Sequence, residues 1–210
     1  GVISTVAGTG SQGFAGDGGA ATSAQFDSPR GVAVDGAGNL FIADYGNHRI
    51  RKVTAGSGVI TTVAGSSSFG FTGDGGPATS AAISEPNGVT VDPLGRVLVT
   101  SGGEIRRIDG DGVITTIAAG LIGASGVAVD RQGRITVVES WVGQVRRIDT
   151  VGNSTVIMGN RVQGFQGDGG AATAARMQFP MQIAVDAAGR VHVADHYHQR
   201  IRRLEGDGTI

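Results

Sequence analysis

A chain of 210 residues with 40% hydrophobic content is large enough for one sizeable core, or for an array of small modules that share one. Its formal net charge of -1 comes without any basic run, which argues against a nucleic-acid surface or a polybasic membrane patch, and no apolar run is long enough to insert into a membrane as a helix. The absence of cysteine excludes disulfides, zinc–thiolate sites and thiol nucleophiles.

The opening segment GVISTVAGTG lacks the basic and apolar regions of a signal peptide and starts with Gly rather than Met, so the chain reads as a mature or excised domain. Residues 13–22, GFAGDGGAAT, look like a phosphate-cradling loop, yet they return as GFTGDGGPAT at 70–79 and GFQGDGGAAT at 164–173. A P-loop ends in Gly-Lys-Ser/Thr between a strand and a long helix; none of the three loops contains lysine, so nucleotide binding is set aside. Each is followed by an Ala-rich stretch long enough for a short helical turn, with Asp17, Asp74 and Asp168 placed to cap it. Phe14, Phe71 and Phe165 at one end of these loops, and Phe26, Ile83 and Met177 at the other, are expected to pin them to the sheets beneath. Calcium binding by the three aspartates is the functional alternative, but oxygen cages draw several carboxylates from one loop and each loop offers one, so no cofactor or metal is assigned.

Between these inserts runs a repeat, at residues 28–65, 85–119, 124–159 and 179–210. Each unit holds short Val/Ile/Thr-rich runs separated by glycine-bearing turns, in the first unit at 32–34, 40–43, 49–53 and 59–64, the pattern of a small antiparallel sheet with strands a to d. Turns of the form Asp-x-x-Gly (Asp35 to Gly38, Asp92 to Gly95, Asp130 to Gly133, Asp186 to Gly189) supply an Asp to bond the turn backbone and a Gly for positive φ. Strand a alternates large and small residues, as in Val32, Ala33, Val34, which suits sheets converging on an axis.

The predicted fold is therefore all-β: one propeller domain, residues 1–210, of four four-stranded blades at about 31–65, 88–119, 126–159 and 182–204 plus 2–7. Residues 208–210 (GTI) and 1–3 (GVI) occupy the same repeat position, so the N-terminal segment is expected to supply strand d of the last blade and close the ring. A closed monomer is favoured; the alternative is a half-ring that dimerises into eight blades.

The stretch PRGVAVDGAGNLFIADYGNHRIRKV, residues 29–53, resembles the NHL repeat family, with its Pro-x-Gly-Val-Ala-Val-Asp start and Asn-x-Arg-Ile core, here Asn47, Arg49 and Ile50. The resemblance covers nearly the whole chain, inserts included, since bacterial NHL proteins often carry such segments between blades. It implies a β-propeller, mostly of six blades in the family, that binds proteins, RNA or glycans or serves as a sensor; a few relatives are lyases or lactonases. Four units depart from six, and the third unit lacks both the proline and the Asn-x-Arg-Ile match.

Because successive strands alternate direction, the d–a inserts and b–c turns emerge on one face. That face carries Tyr45, Asn47 and His48 from the first blade, Trp141 from the third, and His196, Tyr197 and His198 from the fourth. Arg30, Asn87, Ser125 and Met181, followed by Gly31, Gly88, Gly126 and Gln182, open the four inner strands, and Arg30, Asn87 and Gln182 are placed to hold an anion or a carbonyl. The ligand-binding candidates are thus Arg30, Tyr45, His48, Asn87, Trp141, Gln182, His196 and His198, for exposed aromatics with polar neighbours suit protein or glycan recognition. Each also has a plain structural reading: Trp141 seals the short linker before the third blade, His196 and His198 are turn residues, and the basic pairs after strand c (Arg51-Lys52, Arg106-Arg107, Arg146-Arg147, Arg202-Arg203) cover the sheet with their stems and pair with acidic turns. No nucleophile–base pair follows from spacing, so the leading expectation is a non-catalytic recognition propeller, secreted or held at a cell envelope. The alternatives are a lyase or hydrolase with a histidine or metal at the channel mouth, and a structural module that assembles with further repeats.

Overall fold

The computed structural model describes residues 1–210 as fifteen strands and five 3-10 turns. The first sheet holds β1(Pro29–Val34), β2(Leu40–Asp44), β3(Arg49–Val53) and β4(Ile60–Ala64); the second β5(Pro86–Val91), β6(Val97–Ser101), β7(Glu104–Ile108) and β8(Ile114–Ala118). The third holds β9(Ala124–Val129), β10(Ile135–Glu139), β11(Gln144–Ile148) and β12(Ser154–Met158), and the fourth only β13(Pro180–Val185), β14(Val191–Asp195) and β15(Arg200–Leu204). Strands join in chain order within every sheet, so these are the four blades of a β-propeller, the last with three strands. The chain divides into two compact units, one of residues 1–91, 95–101 and 106–116, the other of residues 92–94, 102–105 and 117–210.

The tight turns form as their chemistry requires. Asp35 Oδ1 accepts the backbone N–H groups of Ala37 and Asn39, both at 2.9 Å, while Gly38 takes φ +84°. Asp130 and Asp186 repeat this with Gln132 and Arg134, and with Ala188 and Arg190. Strand a begins earlier than its apolar run: Pro29 pairs with Asp44, and the ladder resumes at Val32 opposite Ile42 after an irregularity. That kink brings Gly31 against the next inner strand, where an added Cβ would lie 2.6 Å from the carbonyl oxygen of Asn87 and 2.9 Å from the nitrogen of Val89. In the second unit Gly126 is pressed in the same way, 2.8 Å from Cα of Gln182.

Several of these turn carboxylates are held below the ordinary value of 3.8: Asp35 chiefly by the Asn39 side chain, Asp149 by Asn153, Asp186 by Arg190. A carboxylate depressed by folding stabilises the fold above its unfolded pKa and loses that contribution as pH falls through its folded pKa. The urea midpoint is therefore expected to fall below about pH 3.8. Asp186→Asn should be less stable than the parent at neutral pH and converge with it in acid, a comparison that paired urea titrations across pH will check.

Residues 2–7 were expected to complete the fourth blade, and they do not. They belong to no strand, and Val2 and Ile3 are 99% and 98% exposed. They run instead straight into the first insert, where Gly8 N–H donates to Ala21 O at 2.8 Å and Thr9 N–H to Ala24 O at 2.9 Å. The outward flank of the first blade stays open, with Val32 63% exposed where Val89 and Val127, its counterparts, are 6%. On the fourth blade Ile201 is 72% exposed where the equivalent Ile50 is 0%.

Candidate functional site

The inserts are built around buried arginines. Arg51, on β3 and fully buried, donates to Asp17 Oδ1 from Nη2 at 2.7 Å and from Nε at 3.1 Å, to Ala15 O at 3.2 Å, and to Asp44 Oδ2 at 3.4 Å. Arg106 repeats the contact with Asp74 at 2.6 Å, and Arg202 with Asp168 at 2.5 Å. The three aspartates therefore clamp the arginine of strand c and do not cap the 3-10 turns Ala21–Ser23, Ala78–Ser80 and Ala172–Ala174, none of which has a side-chain cap. Charge explains the difference: a buried guanidinium is a stronger donor to a carboxylate than a backbone N–H at the surface. Gly16 opens the turn at φ +96°, and its Cα passes so close to Ala24 that a Cβ would sit 2.7 Å from the alanine Cα. Where the insert is missing, before the third blade, Glu139 reaches Arg146 directly at 2.6 Å.

In two of the pairs the second basic residue meets a turn carboxylate, Arg107 with Asp109 at 2.8 Å and Arg203 with Glu205. The carboxylate that ends strand b also fastens the loop before strand a: Asp44 Oδ1 accepts Asp27 N–H at 2.8 Å, Glu139 Oε1 accepts Ile122 N–H at 2.9 Å, and Asp195 Oδ1 accepts Gln178 N–H at 3.0 Å. Burial raises the Asp44 carboxyl above 3.8 in spite of hydrogen bonds from Asn47, Asp27 N–H and Arg51.

On this framework the first unit gathers four of the eight candidate residues. The Arg30 guanidinium lies 3.4 Å above the centre of the Tyr45 ring. Burial, aided by a hydrogen bond to Glu85, raises the Tyr45 phenol above 10.0. His48 takes a left-handed backbone, φ 55°, and its Nδ1 accepts Glu85 N–H at 3.1 Å, so the ring proton sits on Nε2 when it is neutral. Phe69 then stands edge-on to His48 at 5.8 Å and to Phe71 at 6.4 Å, and is 70% exposed. Asn87, half-buried, follows at the start of β5, its backbone against Gly31. Phe69 was missed in the sequence because it precedes only the second insert; a phenylalanine stranded in the polar run SSSFGF was the available signal.

In the second unit the candidates fall into separate contacts. His198 Nδ1 lies 3.0 Å from both carboxylate oxygens of Asp195 and its ring packs 5.6 Å from Phe165. That is the place of Asn47, which donates to Asp44 Oδ2 at 2.9 Å, so the fourth blade uses His198 to brace its turn. His196 turns away to stand edge-on to Tyr197 at 5.4 Å, and the two histidines share no site; no three His, Cys, Asp or Glu side chains cluster in metal-binding geometry. Tyr197, 60% exposed, packs on Phe179 at 5.0 Å. Gln182 is exposed on β13. Trp141 lies over Gly123 of the short linker and is still 66% exposed; a Cβ on Gly123 would stand 2.6 Å from Trp141 Cγ at φ +68°. Gly123→Ala is therefore expected to eject the indole into water, which emission from the chain's one tryptophan will report as a red shift.

These repeated blades match known proteins. The family described as Teneurin NHL domain matches residues 2–72 and 68–120, more than half of the chain. Teneurin-1 of Homo sapiens is 28% identical over 246 residues, spanning 95% of this chain and 9% of that protein; teneurin-4 of Mus musculus is 30% identical over 141 residues, spanning 60% and 5%. The chain thus spans about a tenth or less of the curated relatives it matches. These relatives are vertebrate, so they lend nothing to the bacterial affiliation that the inserts implied. Among solved structures, a streptogramin B lyase superposes with a TM-score of 0.64 at 13% identity over 86% of this chain and 52% of that one. An auxiliary nutrient binding protein from Bacteroides ovatus gives 0.65 at 15% over 86% and 48%, and a chain of a nidogen/laminin complex 0.60 at 16% over 86% and 66%. At such identities these structures share the fold alone. With the blades, their repeated turns and the family match in register with one another, the chain belongs to the Teneurin NHL domain family, a branch of the NHL repeat β-propellers.

Proposed function

We propose that the chain is a non-catalytic recognition propeller that binds a protein through the insert-bearing side of its first unit. The observation that carries this reading is the exposed aromatic ledge: Phe69, 70% exposed, rests on His48 and Phe71 at the entry to the second insert, which Arg106 anchors through Asp74 and the Thr72 carbonyl. A large ring fixed before binding offers apolar area at little entropic cost, and Arg30 stacked on Tyr45 adds a cation and hydrogen-bond donors on the same blade. Membership of the teneurin NHL family supports a protein ligand over a glycan, and by the same likeness we take the setting to be extracellular. No helix of the chain is long and apolar enough to cross a membrane. The lyase reading draws only on a shared fold, and His198 is engaged by Asp195.

The test is an array of purified cell-surface proteins beside a glycan array, probed with the parent chain and with Phe69→Ala. Protein partners should bind the parent and lose roughly thirtyfold or more in affinity with the variant, the cost of truncating a central aromatic anchor. Partners that bind both chains equally, or glycans alone as ligands, would overturn the proposal.

A further inference from the structure

Two of the three inserts lay their phenylalanine under an arginine of the same blade. Arg49 stacks on Phe14 with its guanidinium carbon 3.8 Å from the ring centre, and Arg200 stacks on Phe165 at 4.0 Å. Both arginines open strand c, as the first residues of β3 and β15, and each is steadied by donation from Nη1 to the turn before it, to Asn47 O at 2.9 Å and to His198 O at 3.0 Å. A planar guanidinium suits the negative face of a ring, so the insert phenylalanine is a seat for arginine.

The second insert keeps the seat and lacks the arginine. β7 opens with Glu104 where β3 and β15 open with arginine, and Phe71 is exposed with no guanidinium or ammonium over its ring. The residue two before the insert phenylalanine changes as well: it is Gln12 and Gln163 in the other inserts and Phe69 here. Phe69 stands 6.4 Å from Phe71 with the rings at 63°, and His48 stands edge-on to Phe69 at 5.8 Å.

These rings are fixed before anything binds. Gly70, between the two phenylalanines, donates its N–H to Ser84 Oγ at 2.6 Å, and the same buried hydroxyl donates back to Gly70 O at 3.1 Å. Glu85 follows in the chain. Its N–H donates to His48 Nδ1 at 3.1 Å, and its exposed carboxylate, bonded to the Tyr45 phenol, keeps lone pairs for a further donor. Arg30, an exposed cation of the same blade, is already stacked on Tyr45. The ledge therefore offers ring faces and an acid, the surroundings of a cation and not of an anion.

We propose that Phe71 and Phe69 seat an arginine side chain of the protein partner, its guanidinium lying on Phe71 as Arg49 lies on Phe14 and Arg200 on Phe165. This rests on the protein-binding reading of the ledge and names what the partner presents: an arginine on an exposed segment, taking the place of the arginine that this blade lacks. Apolar area alone selects poorly among partners, and a required cation supplies the selectivity.

Selection of a random peptide library on the parent chain, with depletion on Phe71→Leu, tests this. Leucine keeps apolar volume and removes the ring, and a matching urea midpoint will confirm that the variant is folded. Peptides held by the parent alone should share an arginine. Replacing that arginine with citrulline, which keeps the shape and removes the charge, should weaken binding to the parent about tenfold and make no difference to the residual binding by Phe71→Leu. Selected peptides without a shared arginine, no peptide that tells the two chains apart, or an equal loss from citrulline on both chains would each overturn the proposal. The two readings fail separately. A protein partner that needs Phe69 but binds Phe71→Leu as well as the parent sinks only the arginine seat, whereas arginine peptides held through Phe71, with no protein partner on the array, support the seat and sink the protein-binding reading.

Discussion

Replacing Arg51 with methionine should lower stability by about 3–5 kcal/mol, the usual cost of removing one partner from a buried ion pair. Arg51 is fully buried and is the cation nearest Asp44, which is also fully buried, and it holds the carbonyls of Ala15 and Gln25 besides Asp17. Methionine fills most of the volume but satisfies none of these acceptors, so Asp44 keeps its desolvation cost with only the bonds from Asn47 and the Asp27 N–H to offset it. The loss should be seen as a lower urea midpoint and as early proteolysis within residues 8–26, the insert that Arg51 ties down. Two comparisons separate this account from simple loss of packing. Asp17→Asn, at a partly exposed partner, should cost no more than about 1 kcal/mol. The double variant Arg51→Met, Asp44→Leu should recover much of the loss, because the stranded charge is then gone. A single variant as stable as the parent would show that the clamp contributes nothing.

Gly31→Val and Gly126→Val are the second pair of large effects. Overpacking a core with movable side chains costs about 1–3 kcal/mol, and here the obstacles are backbone atoms of the inner strand of another sheet, 2.6 Å away at Gly31 and 2.8 Å at Gly126, so the cost should exceed that range. These variants are expected to lose cooperative unfolding or to fail to accumulate folded. The fourth blade supplies the control. Gln182 occupies the matching position on β13 with its side chain exposed, so Gln182→Val should change stability by less than about 0.5 kcal/mol. Equal tolerance at all three positions would refute the close approach of inner strands.

The four sheets, their Asp-x-x-Gly turns and the recurring inserts could be read from the residues, because turn chemistry and alternating apolar runs are settled by neighbours in the chain. The arginine clamps were only half legible. A basic pair after every strand c was plain, but which member is buried depends on the face of the sheet it points to, and its aspartate lies 34 residues away for Arg51 and 32 for Arg106. The histidines of the last blade show the same limit. His196 and His198 stand two residues apart in the sequence, yet the 3-10 turn that carries them sends one ring to Tyr197 and the other to Asp195.

By itself, then, the sequence determined the blade repeat, the place and form of its tight turns, and the segments that interrupt it, all of which are local and recur with the same residues in the same order. Only the tertiary structure decided which charges are buried, which aromatic stands exposed on its insert, and that residues 2–7 lie outside every sheet. Burial and edge pairing depend on what lies across space from a residue, and the same strand sequence is paired at residues 60–64 and exposed at residues 2–6 according to whether an edge is beside it.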